Sequence, residues 1–328
     1  MNVLFIGGSG IISSACSALA VERGIDLTLL NRGRTDFRPV PAAARVIHAD
    51  VRDPAAAAEA LRGQTFDAVV DWIAFTPEHV AADLELFRGR VGQFIFISSA
   101  SAYQKPPARL PITEETPLDN PFWQYSRHKI ACEELLMAAY RNEGFPVTIV
   151  RPSHTYDATL LPFHGGYTTL DRLRRGKPIL VHDDGQSLWT LTHHRDFARA
   201  FVPLLGEPRA IGQVYHITSD EVLTWNAIAA LLAEAAGVAP NVVHVPSAVV
   251  ATYDEGWGDS LLGDKCHNAV FDNSKIRTIV PGFAAEIPFA EGAREIVAWY
   301  DAHPEARRVN ADFDALLDRI IGDGIEHG

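Results

Sequence analysis

The regular alternation of short apolar runs with helical stretches across the first half of this 328-residue chain restricts its fold more than any other feature. Asn2 to Ile6, Leu27 to Leu30, Arg45 to Ala49, Ala68 to Trp72, Phe94 to Ile97 and Val147 to Val150 are rich in Val, Ile and Leu and read as strands. Between them, Ile11 to Arg23, Ala55 to Leu61, Val80 to Leu86 and Phe122 to Arg141 read as helices, the first stopped by Gly24. Strands that are apolar throughout must be covered on both faces, and crossover helices supply the cover. The expected fold class is α/β, a doubly wound parallel sheet. Past residue 157 the pattern loosens into short helices (Tyr167 to Arg175, His194 to Leu205, Trp225 to Ala236) and isolated strands such as Val214 to Ile217. A smaller mixed α/β lobe over residues 158–328 is expected, with the chain returning to the first domain around 186–217 and an amphipathic helix across Ala311 to Ile321.

A glycine cluster sharpens this picture. Gly7-Gly8-Ser9-Gly10 lies between the first strand and the first helix, which opens with Ile11 and Ile12. Gly7 and Gly10 let the backbone turn tightly and approach a pyrophosphate at the helix N-terminus. At the first strand–helix junction of an alternating chain, this predicts a Rossmann-type dinucleotide domain over residues 1–157. The end of the second strand should distinguish the dinucleotides, because an NAD site places Asp or Glu there for the ribose hydroxyls. This chain has Asn31-Arg32-Gly33-Arg34 instead, and Arg32 and Arg34 suit a 2′-phosphate, so NADP is favoured over NAD. Asp50, followed by Val51, closes the third strand, where a carboxylate can accept from the adenine amine.

The second signal is Tyr125-Ser126-Arg127-His128-Lys129, with Ser98-Ser99 at the end of an earlier apolar run. Tyr and Lys four apart share one helical face. There an ammonium is expected to stabilise the phenolate and lower its pKa from about 10. A Ser hydroxyl from a neighbouring strand end can then hold the oxygen that gains or loses the proton.

Charge and cysteines narrow the partners. A formal charge of −12 argues against nucleic acid, which needs a basic face. Cys16, Cys132 and Cys266 have no metal-ligand spacing and suit a reducing compartment. His193-His194 with Asp196 does not make a metal site, because adjacent side chains diverge, so no metal is expected. The N-terminus carries no basic n-region and no cleavage site, and no apolar stretch reaches the ~18 residues that span a bilayer. A cytoplasmic protein is expected, with no membrane partner.

Taken together, these elements resemble the extended short-chain dehydrogenase/reductase family, the NAD-dependent epimerases and dehydratases. The family's glycine motif falls on Gly7 and Gly10, with Ser13 in place of the third Gly, where it should crowd the helix–sheet contact slightly. Its Ser-bearing strand end falls on Phe96 to Tyr103, with the catalytic hydroxyl at Ser99. Its Tyr and Lys fall on Tyr125 and Lys129, and its Arg-Pro on Arg151-Pro152, with Pro152 bordering the nicotinamide. The resemblance implies that Tyr125 is the general acid/base, that Lys129 tunes it and holds the nicotinamide ribose, and that Ser99 orients the substrate oxygen. It also implies that Ile73 and Ala74 lie against the cofactor, while Trp72 belongs to the core. A homodimer through the Tyr125 helix and the one before it is a further implication, with Ile130, Leu135 and Leu136 offering apolar surface.

Departures from the family pattern bear on the substrate. Members acting on nucleotide sugars grip the diphosphate with two arginines, and those positions hold Trp189 and Leu261-Leu262 here. The bidentate partners of a diphosphate are therefore missing, although Arg172, Arg174, Arg175 or Lys265 could substitute. Where the family places a substrate-contacting Asn, this chain has His154. Asp254, Glu255 and Asp259 with Trp257 read as a polar loop over the pocket. The expected activity is NAD(P)-dependent oxidation or reduction of a hydroxyl or ketone on a small polar molecule such as a sugar, sugar acid or polyol, with Ser99, Tyr125, His154 and Trp189 as substrate contacts. The alternatives are a sugar epimerase with tightly bound NAD, or an RNA-binding or regulatory protein on the same fold. Dehydration is disfavoured, because Ala100-Ser101 replaces the Asp-Glu pair that dehydratases carry after the catalytic hydroxyl.

Overall fold

A computed structural model describes residues 1–33 and 37–326, so Arg34 lies outside the described residues. The first half forms β1 (Asn2–Ile6), α1 (Ile11–Glu22), β2 (Asp26–Asn31), β3 (Arg45–His48), α2 (Pro54–Ala60), β4 (Phe66–Asp71), α3 (Pro77–Phe87), β5 (Val91–Ile97), α4 (Gln124–Glu143) and β6 (Val147–Pro152). The second half continues with β7 (His154–Tyr156), α5 (Tyr167–Arg174), β8 (Ile179–His182), β9 (Leu188–Trp189), β10 (Leu191–His193), α6 (His194–Phe201), β11 (Val214–Ile217), β12 (Leu223–Thr224) and α7 (Trp225–Ala235). It ends with β13 (Val242–Val245), α8 (Ser247–Tyr253), α9 (Glu255–Ser260), α10 (Ser274–Ile279), α11 (Phe289–Ala302) and α12 (Ala311–Glu326).

Seven strands form a parallel sheet in the order β11-β6-β5-β4-β1-β2-β3. The order reverses between β1 and β4, and the crevice beyond the carboxyl ends of such a pair is where an open α/β sheet holds its ligand. Alternate side chains of β1 serve opposite layers. Val3 and Phe5 pack with Phe197 and Phe201 of α6, and Leu4 and Ile6 pack with Val80 and Phe87 of α3 and Leu136 of α4. Leu136 is wholly buried there, so it is not the apolar outer surface expected of it.

The second half adds β11 to the sheet edge and builds the smaller lobe from the pairs β8–β13 and β9–β12 with α5, α7 and α12 around them. Two expected elements differ. The helix expected over His194 to Leu205 tightens after Phe201 into a 3₁₀ turn over Val202–Leu204, because Pro203 has no N–H to continue the ladder. The expected polar loop around Trp257 is helical. Asp254 accepts from the Trp257 N–H at 2.8 Å and caps α9, which turns the indole into the interior. Among the described residues, no helix is long and apolar enough to cross a membrane.

Candidate active site

The loop after β1 is shaped by packing as much as by turning. Gly7 has φ +84°, and a Cβ there would lie 2.6 Å from Ile73 Cγ2; one on Gly8 would lie 2.4 Å from Leu29 Cδ2. Ser13, at the third-glycine position, ties the loop to α1. Its hydroxyl accepts from Gly10 N–H and donates to the Gly7 carbonyl, both at 2.8 Å, and so clasps the loop. With no acidic residue in its first turn, α1 keeps an electropositive N-terminus facing the crevice. A groove of about 450 Å³ runs from there, walled by Gly7, Gly10, Ile11, Ile12, Ile73, Lys129 and Pro152. Trp72 is both a core side chain and part of that wall. These residues fit a dinucleotide, because the cradle has no room for side chains and its helix end suits a pyrophosphate.

Five expected cofactor residues lie outside the groove wall. Ala74 is fully buried and its carbonyl is taken by Lys129, and Val51 is buried. Asn31 Nδ2 reaches Ser9 Oγ at 3.4 Å, and the half-exposed Arg32 and Asp50 pair with each other at 3.7 Å.

Ser99, Tyr125 and Lys129 converge on this groove. Asn120 Oδ1 accepts from the N–H groups of Phe122 and Trp123 at 3.2 Å, which starts α4 at Gln124 and fixes Tyr125 in its first turn. Ser99 shares a 2.9 Å hydrogen bond with Ser101, which Ser126 buttresses at 2.8 Å. The spacing of Tyr125 and Lys129 predicts a lowered Tyr pKa, but the structure has the opposite. Burial pushes the Tyr125 hydroxyl up to about 12, and the hydrogen bond from Ser99 offsets this only partly. Lys129 is occupied elsewhere. Its ammonium donates to the carbonyls of Ala74 and Ile97, both at 2.7 Å, between the rings of Phe75 and Phe96, and burial draws its pKa down to about 8.

Beneath this group lies a carboxyl pair that sequence reading missed. Asp71, at the end of β4, accepts from Ile73 N–H at 2.6 Å and Ala74 N–H at 2.9 Å, fixing the loop whose carbonyl holds Lys129. Burial, then the Asp71 charge and hydrogen bond, push the Asp83 carboxyl well above the carboxylate range. Asp83 is therefore the protonated partner and donates to Asp71. The folded protein holds this proton where the unfolded chain releases it near pH 4, so the pair's contribution is complete below about pH 4 and fades as pH rises through Asp83's raised value. Asp83→Asn, which keeps a donor and cannot ionise, is expected to stay within about 1 kcal/mol of wild type and to remove this pH dependence. Asp71→Asn leaves Arg52, 3.5 Å from Asp71, with the Ile73 carbonyl but without a carboxylate, and is expected to cost about 2–3 kcal/mol. Urea melts of both variants from pH 4 to 8 test this.

A second cavity, about 250 Å³, shares the Ser99, Tyr125, Pro152, Ser153 and His154 wall and extends to Trp189, Asp264 and Lys265. Trp189 Nε1–H donates to His154 Nδ1 at 3.2 Å, so the imidazole proton sits on Nε2; burial pulls the His154 pKa down to about 3 and keeps the ring neutral. A third cavity of about 240 Å³ adjoins it through His154 and Lys265 and is lined by Phe163, Leu180, Trp225 and Trp257. The arginines that could replace the missing diphosphate partners are not there. Arg172 is wholly buried against Asp314 and Asp318, Arg174 pairs with Asp301, and Arg175 with Asp171. His193 Nε2 meets Glu295 at 3.1 Å and His194 Nδ1 meets the Ile11 carbonyl at 3.2 Å. No cluster of metal-ligating side chains occurs among the described residues.

A glycine-cradled groove opening onto a Ser–Tyr–Lys group at the switch point of a parallel sheet defines a Rossmann-type dinucleotide enzyme. Residues 3–218 match the model of the NAD dependent epimerase/dehydratase family, and the chain belongs to that family, the extended short-chain dehydrogenase/reductase type. It is 28% identical over 263 residues to the chloroplast stem-loop binding protein of 41 kDa b from Arabidopsis thaliana, spanning 74% of this chain and 65% of the relative. With 2′-dehydrokanamycin reductase of Streptomyces kanamyceticus it shares 27% over 289 residues, 86% of this chain and 80% of the relative. Among solved structures, an epimerase from Methanothermobacter thermautotrophicus superposes with a TM-score of 0.77 at 16% identity, covering 94% of both chains. The UDP-glucose 4-epimerase of Thermus thermophilus, solved with NAD, gives 0.73 at 22%, covering 92% of this chain and 99% of that one. These likenesses establish the fold.

Proposed function

We propose that this chain is an NADP-dependent oxidoreductase acting on a hydroxyl or ketone of a small substrate. One observation carries the reading: Ser99, Tyr125, Pro152, Ser153 and His154 wall both the dinucleotide groove and the second cavity. A carbon held between them would face the cofactor on one side and the Tyr125 hydroxyl on the other. When bound, the nicotinamide takes or supplies a hydride at that carbon. In oxidation, the alcohol O–H proton passes to the Tyr125 oxygen as the C–H bond breaks and C=O forms; in reduction Tyr125 returns it. Ser99 holds the substrate oxygen, and the Nε2–H of His154 offers a second neutral donor. Lys129 holds Tyr125's surroundings in place and reaches the ribose.

NADP is preferred because Asn31 stands where an NAD site needs an acid and the adjacent Arg32 is half-exposed, paired only loosely with Asp50. Titration followed by cofactor fluorescence is expected to give tighter binding of NADPH than NADH. Arg32→Asp is expected to weaken NADPH about tenfold and leave NADH nearly unchanged.

The epimerase reading draws on relatives such as UDP-glucose 4-epimerase from Lactobacillus helveticus, 30% identical over 168 residues that span 46% of this chain and 51% of the relative. It requires a resident cofactor. Mass spectrometry of the denatured protein separates the two: stoichiometric NAD favours the epimerase and removes the NADP preference, and an empty protein favours an exchangeable cofactor. The stem-loop binding relative raises RNA binding, against which stand the net charge of −12 and the intact Ser99, Tyr125 and Lys129. A cytoplasmic homodimer completes the proposal, with the half-buried Ile130 and Leu135 of α4 in place of Leu136 at the contact.

A further inference from the structure

Three lysines stand at or behind the two substrate cavities and the groove, and two of them hold short, well-defined partners. Lys129 donates to two carbonyls, and the buried Lys105 pairs with Asp264 at 2.8 Å. Lys265 is different. Its ammonium makes one long bond, 3.5 Å to the Ser260 carbonyl, and lies 5.4 Å from the Trp123 ring centroid; among the described residues no carboxylate pairs with it. An ammonium has three protons to donate, and holding the part-buried Lys265 underpaired is costly unless an anion arrives.

The site is built rather than incidental. Lys265 ends a π-helical turn over Leu261–Lys265, an uncommon geometry frequent at functional sites. Its carbonyl is pinned by His182 Nε2 at 3.0 Å and Ser187 Oγ at 2.9 Å. The same turn is locked to the start of α4, because Asn120 Nδ2 donates to the Gly263 carbonyl at 2.6 Å and a Cβ on Gly263 would lie 2.6 Å from Trp123 Cβ. The helix that fixes Tyr125 therefore also fixes Lys265. Lys265 stands where the two cavities meet, and among the described residues it is the only Lys or Arg in either lining.

We infer that Lys265 anchors the single carboxylate of a hydroxy or keto acid whose ring or apolar body lies against Trp225 and Trp257. One fixed cation, without a bidentate arginine, suits one carboxylate and not a diphosphate. The carboxylate bound there leaves the adjacent hydroxyl or ketone to reach Ser99 and Tyr125 along the shared wall. This assignment rests on the oxidoreductase reading and names its substrate class.

Isothermal titration calorimetry on the full chain saturated with NADP⁺ tests it, because oxidised cofactor and a ketone cannot react and binding is read alone. The probes are phenylpyruvate, its uncharged analogue phenylacetone, and UDP. Phenylpyruvate is expected to bind roughly 10- to 100-fold more tightly than phenylacetone, and Lys265→Met to abolish that difference. Lys265→Arg should keep part of it, and UDP should not displace phenylpyruvate. The NADP⁺ isotherm of each variant reports its folding; if Lys265→Met does not bind NADP⁺, Lys265→Gln takes its place. The inference is overturned if phenylpyruvate does not bind, if it binds the variant as tightly as wild type, or if UDP displaces it. Failure of wild type to bind NADP⁺ or NADPH would instead overturn the oxidoreductase reading itself.

Discussion

Tyr125→Phe is expected to lower kcat by about 10²- to 10⁴-fold while cofactor affinity stays close to wild type. The substitution removes one oxygen and keeps a ring that packs on Trp123 at 4.8 Å between centroids and on Phe75 at 6.5 Å. Only the hydroxyl, with its proton and its hydrogen bond with Ser99, is lost, so a variant that binds NADPH normally and turns over slowly isolates the acid/base role. The pH dependence adds a second test. With its hydroxyl pushed up to about 12, Tyr125 is protonated at neutral pH and ready to act as an acid. Ketone reduction should therefore be nearly flat from pH 6 to 8, whereas alcohol oxidation, which needs the phenolate, should rise about tenfold per pH unit. Initial rates in both directions, followed at the NADPH absorbance, measure both. Undiminished turnover in Tyr125→Phe would mean that another group moves the proton.

Residues whose place in the fold follows from spacing along one element were legible in the sequence. The alternation of apolar runs gave the parallel sheet, because each strand must be buried on both faces and Val3, Leu4, Phe5 and Ile6 divide cleanly between two layers. Gly7, Tyr125 and Lys129 could be picked out by position, and all three line the groove. What the sequence could not carry was competition between partners. Lys129 lies four residues from Tyr125, yet its ammonium is claimed by carbonyls at the ends of β5 and the loop after β4, contacts that exist only once the sheet has formed. Arg172 reads as a spare cation until α12, which begins 139 residues later, brings Asp314 and Asp318 against it. Lys265 reads as one cation among several for the opposite reason. Its importance lies in the partner it lacks, and only a folded structure can reveal that.

Lys129 also carries the second large expected effect, and it separates two roles that activity alone would confuse. Lys129→Met leaves the carbonyls of Ala74 and Ile97 buried without donors, at about 1–3 kcal/mol each, so a stability loss of roughly 2–6 kcal/mol is expected beside the loss of turnover. A melt at one pH cannot distinguish this from a generic packing defect. The proton on Lys129 can. The folded protein releases it near pH 8 and the unfolded chain near 10.5, so between these values the unfolded chain holds more protons and the stability contributed by Lys129 rises with pH. The gap between wild type and Lys129→Met should therefore widen from pH 8 to pH 10 in urea melts, because a neutral amine still has the two protons that the two carbonyls require. Lys129→Arg is expected to restore neither property: a planar guanidinium does not fit the space an ammonium occupies 4.9 Å and 4.8 Å from the Phe75 and Phe96 ring centroids. A gap that narrows with pH would mean that the charged ammonium, and not its hydrogen bonds, holds the ends of β4 and β5 together, and that Lys129 acts on Tyr125 through its field after all.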